Sequence, residues 1–139
     1  MKYMLIIRST DEAFEAFANV DFTEVTNAVG QVNDELVRSG VLLAAEGLDP
    51  DASQGVVVDF TGEAPVVTDG PYGETKELFG GFYLLDVATL EDAVAWSKRM
   101  PFTDGSKIEI RRVTTIDELP QDNEWIQKER AWREATGQL

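Results

Sequence analysis

This sequence predicts an α+β fold, and three observations carry the prediction. Short apolar runs rich in strand-forming residues, such as KYMLIIR (2–8) and GFYLLDV (81–87), alternate with segments whose apolar residues recur at three- and four-residue steps. The chain has 139 residues, the size of one domain, and 43% of them are hydrophobic, which supports a core and argues against global disorder. The segments follow the order strand, helix, strand, hairpin, strand, helix, strand, without an internal repeat or an interdomain linker.

The first strand is 2–8. Ser9 with Glu12 fits a capping box, and a short helical piece over DEAFEAFA follows. Phe22, Val25, Val29, Val32, Leu36 and Val37 mark one face of a longer helix that stops at Gly40, a natural residue for the position after a helix. VLLAAEGL (41–48) is the second strand, and DPDASQG is a turn-rich loop. VVVDF (56–60) and PVVT (65–68) form a hairpin with Gly62 in its turn. After strand 81–87, Thr89 and Asp92 form a capping box for the helix LEDAVAWSKRM, which ends at Pro101. In SKIEIRRV (106–113) Ile108 and Ile110 point one way and Lys107, Glu109 and Arg111 the other, the pattern of a half-buried strand. The polar tail carries a late helix with Trp125 and Trp132 seven residues apart on one face. The order reads as a ferredoxin-like βαββαβ unit with an inserted β-hairpin. The expected organisation is one domain over 1–113 and a helical extension over 114–139, packed on that domain or at a dimer interface.

In that topology strands 2–8 and 81–87 lie in the middle of the sheet. Both are apolar on both faces: Tyr3, Leu5 and Ile7 against Met4 and Ile6, and Phe82 and Leu84 against Tyr83 and Leu85. Two helices cover one face of a sheet only, so a second cover is required. A second subunit, giving a homodimer, is one solution. The C-terminal helix folded back, with Trp125 and Trp132 as the cover, is the other.

Charge and missing residue types exclude several functions. With 12 basic and 26 acidic residues the net charge is −14, which repels nucleic acid and anionic membranes. There is no cysteine, so disulfides, thiol nucleophiles and thiolate metal sites are excluded; a reducing cytoplasmic location fits. There is no histidine, the usual general base and commonest metal ligand, so catalysis would need carboxylates, Lys, Tyr, Ser/Thr or backbone amides. No apolar run reaches membrane-spanning length, and no cofactor or metal site is expected. Asp49, Asp51 and Ser53 alternate as calcium ligands do, but Gln54 and Phe60 stand where an EF-hand loop needs Gly and Glu; the stretch reads as a turn.

The stretch VTDGPYGETKELFGG (67–81) combines turn residues with reactive side chains. Asp69 starts a tight turn, Asp-Gly-Pro, and bonds its own backbone in the plain reading. In the functional reading Asp69, Tyr72, Glu74 and Lys76 line a cleft. Asp69 or Glu74 would then act as a base if burial raised its pKa, Lys76 would hold an anion or enolate oxygen, and Tyr72 would donate a hydrogen bond or stack. Gly80 and Gly81 mark a bulge or a close backbone approach. Glu46 sits inside the apolar strand LLAAEGL. It either points to solvent or faces a cleft with a partner, for which Lys76, Arg8 and Arg111 are candidates.

The segments MKYMLII, GVLLAAEGLDP and VTDGPYGETKELFGGFYLLDV resemble the YCII-related (YciI-like) family, specifically its DGPF-type branch, with Tyr72 in place of the usual phenylalanine. The resemblance covers about residues 1–113 and implies a dimeric α/β-barrel of the ferredoxin-like type. It also implies a setting beside extracytoplasmic-function sigma factors, common for the branch. Some relatives carry a catalytic His–Asp pair, and one is a dehydrochlorinase of chloroaromatic breakdown; without histidine this chain cannot contain that pair. Three functions follow as expectations. The first is a homodimeric small-molecule-binding or regulatory protein with a cleft lined by the DGPYGETKE loop. The second is a lyase- or isomerase-like enzyme using Asp69 or Glu46 for proton transfer on a small cyclic or aromatic acid. The third is an interaction partner in a sigma-factor circuit.

Overall fold

The computed structural model describes residues 1–70, 77–102 and 105–139. Its centre is a four-stranded sheet built from β1 (Lys2–Thr10), β2 (Leu42–Gly47), β5 (Glu77–Asp86) and β6 (Lys107–Arg112), in the order β2-β5-β1-β6. Every neighbouring pair is antiparallel. The fold is α+β and compatible with a ferredoxin-like unit. The two strands that are apolar on both faces, β1 and β5, are the central ones. A separate two-stranded sheet holds β3 (Val56–Asp59) and β4 (Val66–Asp69), paired through Val58 and Val67.

One sheet face is covered by helices. Tyr3 and Leu5 of β1, Tyr83 and Leu85 of β5, and Val87 pack with Leu36 of α2 (Phe22–Arg38) and Ala93 of α3 (Leu90–Ser97). Ile108 and Ile110 of β6 join them, as their alternation requires. Leu5, Leu36 and Leu85 are fully buried. The Tyr83 hydroxyl donates to Asn33 Oδ1 at 2.9 Å, and burial pushes its pKa up. Both helices start where local chemistry dictates. Asp21 caps α2 by accepting from the Thr23 N–H, and Thr89 with Asp92 forms the reciprocal capping box of α3. Gly40, at φ 70°, follows the end of α2.

The first short helix, α1 (Asp11–Ala18), corrects one expectation. Its cap is Thr10, whose hydroxyl accepts from the Ala13 N–H at 3.1 Å. Ser9 is instead a strand residue, because β1 continues to Thr10 opposite Glu77–Phe79. The continuation passes an irregularity: Ile7 pairs with Gly81 and Arg8 with Phe79, so Gly80 is the extra residue.

The second sheet face carries Met4, Ile6, Phe82 and Leu84. Its rows run Ala44–Leu84–Met4–Arg111 and Glu46–Phe82–Ile6–Glu109. The C-terminal segment does not cover this face with its tryptophans. Trp125 and Trp132 of α4 (Glu124–Thr136) are 66% and 47% exposed, with Lys128 and Arg133 stacked over their rings at 4.1 and 5.0 Å. Other contacts hold the segment: Ile116 is buried, Arg130 bonds Asp117 at 2.6 Å, and Lys2, on the same side of β1 as Met4 and Ile6, donates from Nζ to the Gln138 carbonyl. Among the described residues no helix is long and apolar enough to cross a membrane.

Candidate functional site

At one end of the sheet the apolar stripes of α1 and α2 run past the core. Leu36 and Val32, in the C-terminal half of α2, meet the core. Val25 and Val29, in its N-terminal half, face a cleft with Phe22. Phe14 and Phe17 of α1 form a second wall, three residues apart and so on one helical face. Ile7 and Ser9 of β1 and Leu78, Phe79 and Gly80 of β5 supply the sheet side. Leu48, Asp49 and Pro50 after β2, and Pro101, Phe102 and Ser106 before β6, close the ends. The cavity measures about 480 Å³. Five of the chain's seven phenylalanines line it, so its surface is aromatic. Phe14, Phe17, Phe22 and Phe79 are between 39% and 73% exposed, and their apolar area is not satisfied within the chain.

Polar groups are few. Ser9, Ser106 and Asp49 are those of the described lining with reactive side chains. Asp49 Oδ1 accepts from the Asp51 N–H at 2.9 Å, which fixes the turn after β2. The next carboxylate, Asp51, accepts from the Ser53 hydroxyl and N–H and is held below its usual pKa chiefly by the hydroxyl bond. These bonds make DPDASQG a pair of Asx turns. The Leu48 N–H donates to the Gly80 carbonyl at 2.9 Å and ties this loop to β5. Phe79 reaches further: its ring lies 6.5 Å from that of Phe82 on the second sheet face. A smaller recess of about 330 Å³, lined by Val41, Asp86, Asp92, Trp96 and Arg99, lies beside α3 and is less apolar.

The residues singled out from sequence fall in three places. Asp69 ends β4 and is exposed; Gly70 beside it is pinned by a 2.8 Å bond to the Gly55 carbonyl. Glu46 lies on edge strand β2, exposed, and no hydrogen bond or ion pair engages its side chain among the described residues. Of its candidate partners, Arg8 bonds Glu109 at 2.5 Å, and Arg111 lies 3.9 Å from the same carboxylate. Neither Asp69 nor Glu46 is among the residues lining the aromatic cleft. Tyr72, Glu74 and Lys76 lie outside the described residues. Sequence reasoning missed the phenylalanines. The available signal was an excess of aromatic residues on two short helical stripes, more than one small core needs.

A family model for the YCII-related domain matches residues 1–117. The chain belongs to the YCII-related family. The matched YCII-related stretch contains the whole central sheet, α1 to α3 and every described residue of the cleft lining, whereas α4 follows it. An uncharacterized protein of Rhizobium meliloti (strain 1021) is 29% identical over 98 residues, which is 70% of this chain and 78% of that protein.

Proposed function

We propose that this YCII-related chain, of the DGPF-type branch, is a homodimeric small-molecule-binding or regulatory protein of the cytoplasm, and that its ligand occupies the aromatic cleft. One observation carries the reading. A cavity of about 480 Å³ with five phenylalanines around it falls within the size and chemistry of small-molecule sites. The later part of the DGPYGETKE loop, after Asp69 and Gly70, belongs to the same cleft in this proposal, because Leu78, Phe79 and Gly80, which follow it directly, already line the cavity. Tyr72, Glu74 and Lys76 would then contact the ligand from the mouth. The exposed apolar side chains of the hairpin, Val56, Val58, Val66 and Val67, support the homodimer, whereas on the second sheet face Ile6 is buried and Met4, Phe82 and Leu84 are half-buried. Proton transfer by Asp69 or Glu46 requires a carboxylate at the ligand, and both are exposed and outside the lining; binding is therefore the preferred reading.

The test is titration with N-phenyl-1-naphthylamine, a neutral apolar fluorophore, on wild type and on Val29→Trp, which fills the cavity. Saturable binding at one molecule per chain, lost in a folded Val29→Trp variant, is the expected result. Absence of saturable binding to wild type, or equal binding to the filled variant, would rule the cleft out.

A further inference from the structure

The helices and the loop that wall the cleft are acidic, while basic residues near the lining in sequence include Lys76, Lys107 and Arg8, which is ion-paired with Glu109. Residues 9–75, which contribute α1, α2 and the loop after β2, hold 14 acidic side chains and a single basic one, Arg38. Arg38 is in the last turn of α2, at the opposite end from the cleft, and its guanidinium is 2.8 Å from Asp34. Asp11 and Glu12 sit in the first turn of α1; Asp21 and Glu24 sit at the start of α2. Each helix start contributes about half a positive charge, which two carboxylates outweigh. Inside the described lining the ionisable side chain is a carboxylate, Asp49.

Aromatic faces add to the same preference, since the quadrupole of a phenylalanine ring attracts a cation over its face. From this complementarity we infer that the cleft takes a small aromatic or bulky apolar ligand bearing one positive charge, with that charge beside Asp49. The inference rests on the cleft reading above and narrows its ligand class. An acid of the same shape meets repulsion both from Asp49 and from the surrounding field. The hydroxyls of Ser9 and Ser106 serve as polar contacts for the ammonium or for a substituent on the ligand.

Three compounds of one shape and different charge test this: 4-tert-butylbenzylamine, 4-tert-butylbenzyl alcohol and 4-tert-butylbenzoate, titrated calorimetrically into wild type and Asp49→Asn. The asparagine keeps an oxygen for the Asp51 N–H, so the turn is preserved. In wild type at low salt the amine should bind about two- to fivefold tighter than the alcohol, as a solvent-exposed ion pair provides. Asp49→Asn should bring that ratio toward one while leaving the alcohol unchanged, and added salt should do the same. Benzoate binding as tightly as the amine overturns the inference. A ratio unmoved by Asp49→Asn and by salt overturns it as well. Binding of none of the three, by contrast, sinks the cleft reading itself.

Discussion

Gly81→Ala is predicted to destabilise this fold far more than Gly80→Ala, although the two glycines are neighbours in β5. A Cβ on Gly81 would lie 2.6 Å from the Glu46 carbonyl oxygen and 3.1 Å from Gly47 Cα. Both are backbone atoms of β2, hydrogen-bonded beside β5. Restoring ordinary contact at 3.4 Å demands that β2 move by roughly 0.8 Å, and the residue also sits at φ 157°. Overpacking and the unfavourable backbone together cost about 2–4 kcal/mol. A Cβ on Gly80 would instead overlap the Ser9 hydroxyl, the end of a short side chain that turns about one bond. Its cost is small and is offset by ~0.4–1 kcal/mol of reduced unfolded-state entropy. Gly80→Ala should therefore stay within about 1 kcal/mol of wild type, and Ser9→Ala/Gly80→Ala should match or exceed it. Urea unfolding followed by far-ultraviolet circular dichroism, at one fixed protein concentration, reads all three. If Gly81→Ala is no less stable than Gly80→Ala, the account of the bulge is wrong.

Acid stability should depend on Glu118, whose side chain bonds Arg112 at 2.6 and 2.8 Å. That bond, with the Thr115 N–H, lowers its pKa to about 2 from 4.5. A carboxyl with a depressed folded pKa contributes stability that is present above pH 4.5 and lost as pH falls toward 2. Melting temperatures of Glu118→Gln should thus fall less steeply than those of wild type across that window; parallel curves would contradict the linkage. Trp125→Ala and Trp132→Ala should each change stability by less than about 1 kcal/mol, because both rings are largely in water and each stacks with one cation. Acrylamide should quench their fluorescence readily. A loss of several kcal/mol would show that these rings are a structural cover after all.

Much of the fold was legible because its signals are local. Alternation in SKIEIRRV fixes which side of β6 is buried, and Thr89 with Asp92 marks a helix start within four residues. The ferredoxin-like order of segments placed 2–8 and 81–87 in the sheet centre, where β1 and β5 lie, and their apolar character on both faces agrees with it. The span of α1 was legible but its cap was placed one residue early, because Ser9 and Thr10 are equivalent as caps and only the length of the β1–β5 ladder separates them. The cleft was far less legible. Phe14, Phe17, Phe22, Phe79 and Phe102 look like core residues along the chain, since periodicity reports that a face is apolar and not what lies against it.

By itself, then, the sequence determined composition and local geometry. It excluded thiol and imidazole chemistry, it set the acidic field, and it specified most helix and strand positions through patterns a few residues long. Only the tertiary structure decided where apolar stripes leave the core. The α2 stripe is continuous in sequence, yet Leu36 packs into the core while Val25 and Val29 face an open cleft over the end of the same sheet. That division depends on how closely the helix lies against β1 and β5 along its length, a distance between segments far apart in the chain, which no local pattern encodes.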